Sequence, residues 1–170
     1  MQHALNYKEW KAIPKSKPNS CLDLFLFQPQ SIENLSLIYR SAEAFSVNQI
    51  LIYQPKMDLD DTRIKRVSRS ASQKMASHII YEQESMKQTF DNYPLLLALE
   101  WTNTSSDLYT IKKVRRNTLL ILGNERFGIP KHILAEAHKS VHIPISGSQS
   151  SINLACASSI ALSYLHRLRT

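Results

Sequence analysis

Only three of the 170 residues are glycine, and Gly123, Gly128 and Gly147 all fall in one short segment of the last third. Cysteine is as scarce. Cys21 and Cys156 stand far apart, which gives neither a disulfide framework nor metal-ligand spacing. No apolar run approaches the roughly 20 residues needed to span a bilayer. Met1–Trp10 lacks the apolar centre of a secretory signal. No G-x-G-x-x-G follows the first apolar run, and there is no P-loop, H-E-x-x-H or G-x-S-x-G. The six histidines are scattered, and His138 with His142 lacks the glutamate pattern of a zinc helix. These absences argue against dinucleotide, kinase, metalloenzyme and serine-hydrolase chemistry. The expectation is a protein of the reducing cytoplasm with no metal and no membrane partner.

Charge of one sign is in excess. The formal net charge is +7, with basic residues clustered in Lys8–Lys17, Arg63–Lys74 and Lys112–Arg116 and at Arg167 and Arg169. A solvated lysine-rich surface would account for this. So would a polyanionic partner, because neutralising phosphates releases counterions; of the two, nucleic acid is the expected partner.

Hydrophobic residues make up 43% of the chain, enough for the core of one domain. Residues 1–20 read as a basic N-terminal arm and 21–170 as the folded domain. Cys21–Phe27 is an apolar run that reads as a buried strand. Ser31 then offers an N-cap for a helix carrying Ile32, Leu35, Ile38, Tyr39, Ala42 and Phe45. Gln49–Tyr53, Leu95–Glu100 and Thr118–Gly123 read as strands, as do His78–Glu82 and Ser140–Ile145. Helices are expected over Glu84–Asn92, Lys131–His138 and Asn153–Leu168, whereas 61–77 could be helix or loop. This alternation predicts an α/β domain with a mainly parallel sheet flanked by helices.

Three segments could carry chemistry. In Asn34–Phe45, Ser36, Arg40 and Glu43 share a helix face, where an Arg40–Glu43 surface pair is the ordinary expectation. In Leu119–Pro130 (LLILGNERFGIP), a buried strand ends in a polar turn, and open α/β sheets collect ligands at the carboxyl ends of strands. In Ile143–Ala157 (IPISGSQSSINLACA), a serine-rich loop leads into a helix of small residues, which Ser150 or Ser151 would cap.

Together these segments resemble the three motifs of the SpoU (TrmH-like) branch of the SPOUT methyltransferases. Asn34–Ala42 resembles the first, with Asn34 and Arg40. Leu120–Pro130 resembles the second, with Gly123, Glu125 and Gly128, and Ile143–Ala157 the third, with Ser151 and Asn153. The likeness runs from about Cys21 onward. It implies a C-terminal deep trefoil knot, a homodimer, and S-adenosylmethionine as cofactor, leaving S-adenosylhomocysteine, with no metal. The implied reaction is methylation of a ribose 2′-hydroxyl of RNA. With no room before Cys21 for a separate RNA-binding domain, tRNA is expected over rRNA. A non-catalytic RNA-binding relative and a base-modifying RNA methyltransferase are the alternative readings.

The resemblance also implies roles. Leu122, Gly123, Asn124, Ile143, Ile145, Gly147, Ser151 and Leu154 would hold the cofactor. Arg40 would be the central catalytic residue; a protonated guanidinium suits clamping a phosphate and a developing oxyanion better than accepting a proton. Ser151 and Asn153 would orient ribose and cofactor, Asn34 would brace RNA or Arg40, and Glu125 would fix the loops. The family usually carries glycine where Ser36 stands and at a position corresponding to Ser46. Serine is expected to be accommodated at both, since helix geometry asks for no positive φ. The Arg63–Lys74 stretch also differs from the family's glycine-containing serine segment.

Overall fold

The computed structural model describes residues 20–55, 75–114 and 117–169, with Lys8, Ala12 and Arg66 as isolated positions. The rest of the expected arm and of Arg63–Lys74 lies outside the described residues.

Seven strands form one sheet: β1 (Leu22–Phe27), β2 (Gln49–Tyr53), β3 (Ala76–Ile80), β4 (Leu95–Leu99), β5 (Ser106–Asp107), β6 (Thr118–Leu122) and β7 (Lys139–His142). Their order is β3-β2-β1-β6-β4-β7-β5, and every pairing is parallel. Among the described residues the α-helices are α1 (Ile32–Ala44), α2 (Gln83–Asp91), α3 (Lys131–Glu136) and α4 (Leu154–Arg167). Strands β6 and β7 arrive late, β6 between β1 and β4 and β7 between β4 and β5. The carboxyl ends of β1, β6, β4 and β7 therefore sit side by side.

The apolar runs need no alternation because both sheet faces are covered. Leu22, Leu24 and Leu26 of β1, with Ile50 and Ile52 of β2, pack in one core with Leu35 and Ile38 of α1 and Leu162 of α4. Phe25, Phe27, Leu51 and Tyr53 turn to the second core, with Met86 and Phe90 of α2 and Ile133 of α3. Asp23 is the polar exception in β1. Its buried carboxylate accepts hydrogen bonds from Asn48 (2.9 Å), Gln49 (2.7 Å) and the Tyr93 hydroxyl. Burial, then that carboxylate, pushes the Tyr93 phenol well above its usual range.

The strand expected over Ser140–Ile145 ends earlier, at His142. Pro144, two residues on, has no N–H to offer a ladder. β3 and α2 begin a residue or two before the expected boundaries. β5 was not anticipated, since two polar residues carry no strand pattern.

Helix α1 closes with a turn that the sequence reading did not foresee. The N–H of Ser46 bonds Glu43 O and that of Val47 bonds Ala42 O (2.9 Å), the pairing that requires a left-handed residue after the helix. Ser46 takes that place with φ 55. The expectation that this position needs no positive φ was wrong, because Ser46 lies past the helix rather than in it. The buried Arg169 side chain donates to the carbonyls of Phe45 (2.9 Å) and Ser46 (3.2 Å) and holds the strained turn. Replacing Ser46→Gly removes the left-handed penalty and should stabilise the fold by up to about 1 kcal/mol. For a chain of this size that is about 2–4 °C in melting temperature. A thermal melt showing no rise would contradict the strain.

Candidate active site

A cavity of about 710 Å³ lies at the carboxyl ends of β4, β6 and β7. One wall is apolar, built from Leu99, Leu122, Ile143, Ile145 and Leu154. The rim is polar, with Asn34, Asn124, Glu125, Ser151 and Asn153.

The turn after β6 makes the rim. Asn124 and Gly128 bond each other across it, N to O at 3.0 Å and 2.9 Å. The Asn124 side chain fills the turn, its Oδ1 accepting from the N–H groups of Arg126 (2.9 Å) and Phe127 (3.2 Å). Its Nδ2 donates to the carbonyl of Gln28 (2.6 Å). Gln28 has φ 48, so Asn124 pins a left-handed residue at the exit of β1. Two glycines are required here. A Cβ on Gly123 would lie 2.3 Å from the carbonyl carbon of Gly128, and Gly128 itself has φ 65.

Glu125, at the head of this turn, holds the entry to α1. Its Oε2 accepts the Gln30 N–H (2.9 Å), and its Oε1 accepts the Ser31 N–H (3.0 Å) and Asn34 Nδ2 (3.2 Å). Asn34 passes the link on, its Oδ1 accepting from Asn153 Nδ2 (2.9 Å). Asn153 uses its own Oδ1 to cap α4, accepting from Ala155 N (2.8 Å) and Cys156 N (3.3 Å). One connected network thus joins one residue of each expected motif. Here the sequence reading named the wrong cap: Asn153, not Ser150 or Ser151, closes the α4 terminus. Ser151 lines the cavity without a side-chain partner among the described residues.

Two expected site residues stand apart. Arg40 is exposed on α1, two turns beyond Asn34, and does not line the cavity. Its guanidinium has no partner among the described residues, so the ordinary Arg40–Glu43 pair is not formed. Gly147 also lies outside the lining, has no positive φ, and has open space where a Cβ would go.

Glu100, Trp101 and His142 are among the lining residues that the sequence reading missed. Glu100 at the end of β4 accepts the N–H groups of Trp101 (3.0 Å) and Ile129 (2.8 Å) and braces the far side of the same turn. Trp101 stacks on His142, ring centroids 4.1 Å apart. A carboxylate just past an apolar strand was the only available signal.

Residues 22–163 match the model of the SpoU rRNA Methylase family. The chain belongs to that family. Among relatives of this SpoU chain, an uncharacterized tRNA/rRNA methyltransferase of Borreliella burgdorferi is 27% identical over 90% of the chain. The chain spans 66% of that relative's length. A candidate tRNA (cytidine(34)-2′-O)-methyltransferase of Mycoplasma genitalium is 29% identical over 81% of the chain and 85% of its own length. Among solved structures, the SpoU methyltransferase AviRb of Streptomyces viridochromogenes in complex with AdoMet superposes with a TM-score of 0.76. It is 22% identical, over 91% of this chain and 60% of that one. A structure concerned with 2-OH methylation of C/U34 on tRNA gives 0.74 at 22% identity, over 88% and 97%. At that identity the two structures establish the shared fold. No helix among the described residues is long and apolar enough to cross a membrane.

The network separates bracing from chemistry. Glu125→Ala strips the acceptor from three donors and should lower unfolding stability by about 2 kcal/mol in urea melts. Arg40→Ala, which removes an exposed side chain without a partner among the described residues, should stay within about 0.5 kcal/mol of the parent. Equal losses would contradict this division.

Proposed function

We propose that this SpoU chain transfers a methyl group from S-adenosylmethionine to a ribose 2′-hydroxyl of RNA, with tRNA the first substrate to test. The observation that carries the reading is the convergence of the three motif segments on one cavity at the carboxyl end of the sheet, tied through Asn34, Glu125 and Asn153. The names of the Mycoplasma relative and of the C/U34 structure favour the ribose over the base and tRNA over rRNA.

The cavity suits the cofactor. An adenosine carrying an aliphatic amino-acid tail needs an apolar slot and polar groups at its rim, rather than a metal or a countercharge. Leu122, Gly123, Ile143, Ile145 and Leu154 provide the slot, with Asn124 and Ser151 at the rim; Gly147, outside the lining, is left out of this set. Bound there, S-adenosylmethionine supplies an activated methyl group on a sulfonium sulfur, and S-adenosylhomocysteine remains once the ribose oxygen has taken it.

The residues divide the remaining work. Ser151 lines the cavity, has no side-chain partner among the described residues, and orients the ribose in this reading. Asn34, Asn153 and Glu125 spend their side chains on one another and on backbone N–H groups, and so position the site. Arg40 clamps an RNA phosphate and the charge developing on the hydroxyl oxygen. Because Arg40 does not line the cavity of its own chain, a homodimer is part of the reading. A second copy seated against the exposed stripe of Leu37 and Arg40 on α1 would bring this arginine to a cavity. The trefoil knot belongs to the same reading, supported by the late insertion of β6 and β7 into the sheet.

The test is labelled methyl transfer into bulk tRNA and bulk rRNA, followed by digestion to nucleosides. Label should appear as a 2′-O-methylnucleoside and should be lost with Arg40→Ala, whose affinity for S-adenosylhomocysteine by calorimetry should change less than about threefold. Normal turnover by Arg40→Ala would overturn its assignment. Label on a base would move the reaction to the base-modifying reading, and failure to bind the cofactor would favour a non-catalytic RNA-binding role.

A further inference from the structure

The two most exposed large apolar side chains among the described residues are both aromatic, and both line the cavity. Trp101 is 55% exposed and Phe127 77%. Large aromatics left open to water at one mouth mark a binding surface. Trp101 is also held in place. Its N–H is fixed by Glu100 (3.0 Å), and the next residue, Thr102, is fixed through its N–H by Ser105 Oγ (3.0 Å). The same Ser105 hydroxyl bonds His142 Nδ1 (2.9 Å), which sets the imidazole on which the indole rests, at 4.1 Å between centroids and 31° between planes. The indole rests on a tethered ring, and more than half of Trp101 is open to solvent. The Arg126 guanidinium lies 5.7 Å from the Phe127 ring centre, so a cation stands beside the second aromatic.

A pre-oriented indole facing a cavity, with an arginine beside a second ring, is the chemistry that receives a nucleobase and its phosphate. We propose that Trp101 is a stacking platform for a nucleobase, with Phe127 and Arg126 lining the same cavity. This rests on the reading that the chain binds S-adenosylmethionine and RNA. The base has two possible sources, the adenine of the cofactor and a base of the RNA, and the test separates them.

In a Trp10→Phe background Trp101 is the sole indole, because the sequence has two tryptophans. Its emission is followed while S-adenosylhomocysteine alone, or bulk tRNA alone, is titrated in. Saturable quenching by S-adenosylhomocysteine places the cofactor adenine on Trp101. Quenching by tRNA but not by S-adenosylhomocysteine places an RNA base there. In either case Trp101→Ala should weaken binding of the quenching species about tenfold or more, and Trp101→Phe, which keeps a stacking ring, should stay within about threefold. The proposal is overturned if calorimetry and filter binding show both species bound, the emission unchanged and both affinities kept in Trp101→Ala. The methyltransferase reading then stands. Failure of both species to bind the parent chain would bring down both readings together.

Discussion

Glu125 stands where three parts of the chain that are distant in sequence have to meet. Its carboxylate follows β6 by three residues, yet its three acceptor contacts go to the segment entering α1. A carboxylate taking two backbone N–H bonds at a helix entrance meets donors that the helix cannot satisfy itself, and its charge complements the helix dipole there. Asn34 extends the connection to Asn153, which closes the start of α4. Without this carboxylate the head of α1 would lose its three side-chain bonds to the loop after β6.

The sheet makes that meeting possible. Inserting β6 between β1 and β4, and β7 beyond β4, lines up four parallel strands, and the carboxyl ends of β6, β4 and β7 open into one cavity. The loops there are held by polar side chains aimed at backbone: Asn124 on Gln28 O, Glu100 on Ile129 N, Glu125 on Ser31 N. The distorted residues Gln28 and Gly128 lie within these contacts. The third left-handed residue, Ser46, lies at the far end of α1, held by Arg169, and belongs to the stability of the fold rather than to the site.

Much of this could be read from the chain. Apolar runs bounded by polar turns gave the strands from Leu22–Phe27 to Thr118–Leu122, and their alternation with helices gave a parallel sheet. The residues of the bracing network were named from the resemblance of their segments to the family's motifs. What stayed hidden depended on distance in space. Glu100 looks like any polar residue ending a strand until Ile129 arrives opposite it. The capping of α4 by Asn153 could not be told from capping by the serines before it, since each has a side-chain oxygen. Gly147 was grouped with the other glycines by proximity and by the family resemblance, whereas only Gly123 and Gly128 face a close approach or a positive φ. Arg40 was identified through the family resemblance, but one chain does not bring it to the cavity.

The central claim is that Glu125, Asn34 and Asn153 act as one unit that shapes the site. A double-mutant cycle on kcat/KM for RNA methylation, using Glu125→Gln, Asn153→Ala and the pair, tests it most directly. A single unit predicts strong non-additivity, with the double variant losing little more than the worse single one. Losses that add in free energy would mean that the two side chains act independently, and would contradict the account.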